Sequence, residues 1–238
     1  MSKWLDWLTA AFADGATLTM AQQQRLASWR KLPRPALGQR VAESRYVVVD
    51  VETTGLNLLQ DRLISIGAVA VVGGRILLED SFSAVLQQRE ASSKENILVH
   101  GISGSKQREG LPPEEVLLAF LEFVGRSPLV AFHVEFDETM VRRAMRTYLK
   151  FNFKHPWLDL AYVMPALEPA KAAKCRSLDD WVDTFGIRID MRHDALADAL
   201  ATAQLLQVAL VLAGKRGEAT FVALRDFEKA QRWVSRIA

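Results

Sequence analysis

Three short segments place acids and a histidine where they could work together. The first, Asp50-Val-Glu-Thr-Thr-Gly, directly follows the β-branched run Tyr46-Val-Val-Val. Residues two apart on a strand share a side, so Asp50 and Glu52 present paired carboxylates where a buried strand ends. The carboxyl ends of strands are where open α/β sheets build their sites. Burying Asp50 behind valines is costly unless a cation or a donor compensates it. The second segment is Phe132-His-Val-Glu-Phe-Asp137, at the junction of an apolar strand and an amphipathic helix. Asp137 there could equally serve the helix dipole, and Glu135 and Glu138 are alternatives to it. The third is Arg192-His-Asp-Ala-Leu-Ala-Asp198. With Asp194 as helix cap, His193 sits in the preceding loop and Asp198 one turn into the helix. Ala195, Ala197 and Ala199 are small enough to let a ligand or another segment come close.

Pooled, these segments supply four carboxylates, Asp50, Glu52, Asp137 and Asp198, and one imidazole, His193. Clustered carboxylates without cysteine suit hard cations such as Mg²⁺ or Mn²⁺ rather than zinc. Two such ions about 3.5–4 Å apart make a site for in-line displacement at phosphorus, one activating water and one steadying the leaving oxygen. His193 can take the proton from that water, because an imidazole ordinarily titrates near pH ~6.5.

The elements that must position these groups are legible. Tyr46 to Val51 reads as a strand buried on both faces. Arg62–Val72 and Ile76–Leu86 flank Gly73-Gly74, a hairpin signal. Pro112-Pro113 opens a helix through Val124, with Glu114 and Glu115 in its first turn. Leu129–Phe132 and Trp157–Leu160 are short apolar strands. Phe136, Met140, Ala144 and Tyr148 form one helical stripe. Ser177 caps a helix to Phe185, Leu196 to Leu210 mark a long helix, and residues 219–236 a last one. Strands mixed with crossover helices indicate α/β with a mixed central sheet. Leu5, Leu8 and Phe12 suggest one N-terminal helix, and Thr19 caps a second through Trp29. Pro33 and Pro35 then break the chain. The expected organisation is a small helical appendage at 1–44 and a catalytic domain at 45–238.

At these residues the sequence resembles the DEDDh, or DnaQ-like, 3′–5′ exonucleases, the group of the DNA polymerase III epsilon-subunit exonuclease domain. Asp50-x-Glu52-Thr-Thr-Gly, Asp137 after Phe136, and His193-x-x-x-x-Asp198 are similar to its three motifs. The resemblance spans about residues 46–212 and includes Arg62-Leu-Ile-Ser-Ile-Gly-Ala-Val and His100-Gly-Ile. It implies a ribonuclease H-like fold and stepwise release of nucleoside monophosphates from a 3′ end. It further implies that Asp50, Glu52, Asp137 and Asp198 hold two Mg²⁺ or Mn²⁺ ions, and that His193 is the general base. Thr53 and Leu56 would contact the terminal nucleotide, and His100 is brought toward substrate by the resemblance alone. One departure stands out: His133 occupies a place where the second motif usually has Asn.

Composition sets the remaining bounds. With 238 residues, half of them hydrophobic, the chain can bury a sizeable core. A net charge of +2 is too balanced for a general polyanion-coating protein. The single Cys175 excludes an intramolecular disulfide. No apolar run approaches the ~18 residues needed to cross a bilayer, so the expectation is a soluble, cytoplasmic protein without a membrane partner. Arg142, Arg143, Arg146, Lys150 and Lys154 form a cationic flank after Asp137 that could guide a phosphate backbone. The expected substrates are single-stranded 3′ ends, DNA ahead of RNA, in proofreading or repair. Other readings are an oligonucleotide exoribonuclease or an accessory subunit that binds a polymerase. A polymerase or a second copy of the chain is the expected protein partner.

Overall fold

The computed structural model describes residues 17–188, 193–217 and 220–237. The helix expected around Leu5, Leu8 and Phe12 lies outside them. The sheet comprises β1 (Arg45–Thr53), β2 (Leu63–Val72), β3 (Arg75–Val85), β4 (Leu129–Ala131) and β5 (Trp157–Asp159), in the order β3-β2-β1-β4-β5. Strands β1 to β3 form an antiparallel meander, and β4 and β5 continue it in parallel with β1. The β2–β3 turn needs its glycines, because Gly73 and Gly74 both have positive φ, at 57° and 78°. Mixed pairing of this kind matches the α/β expectation.

The helices, in chain order, begin with α1 (Met20–Lys31), α2 (Lys94–His100), α3 (Gly104–Arg108), α4 (Pro113–Val124) and α5 (Val134–Leu149). They continue with α6 (Leu160–Leu167), α7 (Pro169–Ala172), α8 (Leu178–Thr184), α9 (Ala195–Lys215) and α10 (Phe221–Ile237). Alternation along β1 assigns them to two layers. Val47, Val49 and Val51 face one core, with Leu117 and Leu121 of α4 and Val141 and Met145 of α5. Tyr46 and Val48 face the other, with Leu205 and Leu206 of α9, Val163 of α6 and Leu224 of α10. Both faces of β1 are therefore dry, which is why its sequence is a continuous apolar run rather than an alternating one.

Helix α9 corrects one sequence expectation. By length and composition it is apolar enough to cross a bilayer, although no such run was expected. It lies across β1 and β2, with Ala199, Ala203, Leu205 and Leu206 buried there. A core helix covered on most sides has the composition of a membrane span for the same physical reason.

Residues 17–44 precede the sheet yet pack into both cores. Thr19 opens α1 with a capping box that includes the Gln22 side chain. Leu26 and Trp29 join the core on the α4 side. Trp29 meets Phe151 edge-on, and the Arg126 guanidinium lies 4.0 Å above its ring. His155 stacks on Phe153 in the same cluster. Burial pushes its imidazole down to about 4, so the ring is neutral at physiological pH. The segment after α1 then sends Leu37 and Val41 to the opposite core. Ion pairs here join Arg25 to Glu115 and Glu122 and Arg40 to Glu43, and at the start of β1 Arg45 to Asp80.

Candidate active site

The even positions of β1 point toward α9. Tyr46 and Val48 lie under its body, and Asp50 and Glu52 reach the level where the helix begins. Asp194 caps that helix, accepting hydrogen bonds from the Leu196 and Ala197 amides at 3.1 and 3.0 Å. One turn on, Asp198 is 5% exposed and its Oδ2 accepts the His193 backbone N–H at 3.0 Å. Carboxylate oxygens of Asp50, Glu52 and Asp198 lie within 4.8 Å of one another.

A glycine makes that convergence sterically feasible. Gly67 of β2 pairs with Asp50, and a Cβ built on it would lie 2.2 Å from Ala195 C and Leu196 N. The first turn of α9 thus rests on bare backbone. Gly67→Ala should push the helix start away, at a cost of about 1–3 kcal/mol in stability. A displacement near 1 Å should slow turnover by about 10²-fold. Denaturant melts and rate measurements on the variant check both, and a parental rate would show that Asp198 does not need this approach.

Asp137 also turns inward. It sits in the first turn of α5 and is 5% exposed, whereas Glu135 is exposed and Glu138 faces Arg142. Of the three acids, Asp137 alone is buried. Burial holds the Asp137 carboxyl well above the usual range, and the charges of Asp159 and Glu52 push the same way. The Val51 backbone N–H draws it down. Asp137 is thus beside the other carboxylates electrostatically, though outside the group of three within 4.8 Å.

His193 is exposed, with a left-handed φ of 61°. It lines a cleft of about 430 Å³ with Asp50, Glu52, Asp198, Phe132 and His133. Arg176, Ser177 and Asp179 line the same cleft. Their sequence had suggested only a helix cap, and Ser177 does cap α8. His133, the departure in the second motif, occupies the entry to α5 at φ 64°. Thr53 is buried, its Oγ1 donating to Gly55 O at 2.7 Å and its carbonyl accepting from Asn96 of α2. Leu56 is 85% exposed on the following loop. That loop is braced by Asp61, which accepts from Thr54 Oγ1 and Asn57 N, and by Arg143, which donates to the carbonyls of Leu58, Leu59 and Asp61. Arg143, expected in a cationic flank, is therefore committed to backbone. His100 is buried, with one ring nitrogen accepting from Ile102 N and the other bonded to Ser92.

The donor set suits a hard divalent cation. Asp50, Glu52 and Asp198 offer oxygen only, and without counter-charge three carboxylates so close repel strongly. Asp137 adds a fourth acid whose ionisation burial opposes, and a nearby cation would reverse that penalty.

Comparison with known proteins places the chain beside exonuclease sequences and structures. The family model described as Exonuclease matches residues 47–206. The chain is 31% identical over 163 residues to the PolC-type DNA polymerase III of Thermotoga maritima, covering 68% of this chain and 12% of that protein. It is 28% identical over 190 residues to the DNA polymerase III subunit epsilon of Aquifex aeolicus, covering 79% and 92%. The chain thus spans about a tenth of the PolC-type relatives and most of the epsilon subunit. Among solved structures, E. coli Exonuclease I in complex with a dT13 oligonucleotide aligns with a TM-score of 0.61 at 18% identity, over 73% of this chain and 42% of that one. Exonuclease X in complex with 5′ overhanging duplex DNA aligns at 0.57 and 20%, over 75% and 99%. With the motif residues gathered at the end of β1 and the start of α9, and the family match covering both, the chain belongs to the DnaQ-like exonuclease family.

Proposed function

We propose that the chain is a 3′–5′ exonuclease that hydrolyses the terminal phosphodiester of single-stranded DNA and releases nucleoside monophosphates. The observation that carries this reading is the convergence of Asp50, Glu52 and Asp198 within 4.8 Å at the floor of an open cleft. Asp50, Glu52, Asp137 and Asp198 would hold two Mg²⁺ or Mn²⁺ ions. When bound, these supply Lewis-acid charge at phosphorus and a more acidic water. His193, exposed on the cleft wall, accepts the proton of that water as its oxygen bonds to phosphorus. The bond from phosphorus to the 3′ oxygen of the penultimate nucleotide breaks, and that oxygen takes a proton from solvent and leaves as a hydroxyl. Leu56 offers an apolar surface to the terminal base, and the backbone at Thr53 offers donors to its sugar. Relatives named as DNA polymerase III polypeptides favour DNA over RNA and a polymerase as partner. A cytoplasmic setting is the one this reading needs.

End-labelled DNA and RNA oligonucleotides of matched sequence test it. DNA should shorten one nucleotide at a time from the 3′ end with Mg²⁺ or Mn²⁺, and RNA should be processed more slowly. Full turnover in excess chelator would sink the metal reading. Internal cuts, or indifference to a blocked 3′ end, would sink the exonuclease reading.

A further inference from the structure

The last helix reaches the site through a buried acid that the chemistry above does not use. Asp159 closes β5, beside Ala131 at the end of β4, and is 2% exposed. Its Oδ1 accepts two backbone hydrogen bonds, from His133 N and from Ala161 N, each at 3.0 Å. The first holds the entry to α5 and the second caps α6. Its Oδ2 accepts from Arg232 Nη2 of α10 at 2.9 Å. Arg232 Nε donates to Glu228 Oε1 at 2.9 Å, and Glu228 Oε2 accepts the Asp159 backbone N–H at 3.3 Å. The circuit closes on itself. The Arg232 guanidinium also lies 4.0 Å from the Tyr162 ring centroid, which fixes its plane.

We propose that Arg232, with Glu228, is a positioning residue for the metal-binding carboxylates, acting through Asp159. The inference rests on the site reading given above. His133 is a non-glycine residue in the left-handed region, a conformation that must be held from outside. Asp159 holds it, and Asp137 follows one helical turn later. Rotation of that entry therefore moves Asp137 relative to Glu52. Charge points the same way: Asp159 acts directly on Asp137, and Arg232 is the cation bonded to Asp159. On the neighbouring surface Arg142, Arg225 and Arg232 all act on Glu138, whereas Asp159 is bonded to Arg232. Partners that orient ligand-bearing groups are usually worth about 10–100-fold in metal affinity or activity.

The test uses the full chain, with Mn²⁺ binding followed by electron paramagnetic resonance beside steady-state rates on a DNA oligonucleotide. Arg232→Ala should weaken Mn²⁺ binding and lower kcat by about 10–100-fold, with KM for DNA held within about 2-fold. Arg232→Lys keeps the charge without the two-pronged fork and should recover part of the loss. Glu228→Gln should show a smaller defect in the same direction. Parental Mn²⁺ affinity and kcat in Arg232→Ala would overturn the proposal, as would a lower melting temperature with metal binding intact. If Arg232→Ala fails to fold, Arg232→Lys and Glu228→Gln decide by the same two readouts. Asp50→Ala serves as control: unimpaired Mn²⁺ binding there would condemn the site reading itself rather than the role of Arg232.

Discussion

Asp50→Ala and Asp198→Ala should each end hydrolysis while leaving the fold standing. Both carboxylates belong to the group within 4.8 Å, so each loss removes one of its three ligand-bearing side chains. The expected drop is about 10³-fold or more in kcat, equivalent to ~4 kcal/mol of barrier. The apolar stretch of β1 is untouched, so circular dichroism should match the parent protein. A thermal readout separates ligand loss from damage. Mn²⁺ should raise the melting temperature of the parent by mass action and leave that of Asp50→Ala unmoved. Undiminished turnover in either variant would mean that the site has been misassigned.

His193→Asn should slow turnover by about 10²–10⁴-fold, the usual worth of a general base, with Mn²⁺ affinity unchanged. Asn is the better replacement because the residue sits at φ 61°, a region that Asn tolerates. The contact that His193 makes to Asp198 comes from its backbone N–H, which any replacement except proline retains. Loss of rate with metal binding intact would therefore isolate the imidazole. A variant as fast as the parent would hand the proton to another group, and a variant that loses Mn²⁺ would make His193 a structural support for Asp198.

Much of the architecture could be read from local pattern. The valine run of β1, the Gly73-Gly74 hairpin, the proline start of α4 and the caps at Thr19, Ser177 and Asp194 each depend on residues within a few positions, and each element formed. Less visible were α2, α3 and α6, which are short and lack a complete amphipathic stripe of their own. Arg143 read as a free cation because sequence does not show the loop carbonyls of Leu58, Leu59 and Asp61 folding over it. Helix α9 read as a long helix marked by Leu196 to Leu210, and its burial across β1 and β2 allows it to be apolar well beyond that one stripe.

The site divides along the same line. By itself the sequence determined the residue types and their intervals: two acids on one strand side, an acid near a helix start, and a histidine five positions before another acid. Those are properties of strand and helix periodicity, which act over a few residues. That Asp137, rather than Glu135 or Glu138, faces inward depends on what α5 packs against. The same holds for Gly67, whose missing side chain admits Ala195 of α9 from 128 positions away, and for Arg232, which reaches Asp159 from the last helix. Contacts between distant segments are set by how the layers close on the sheet, and no local spacing encodes them.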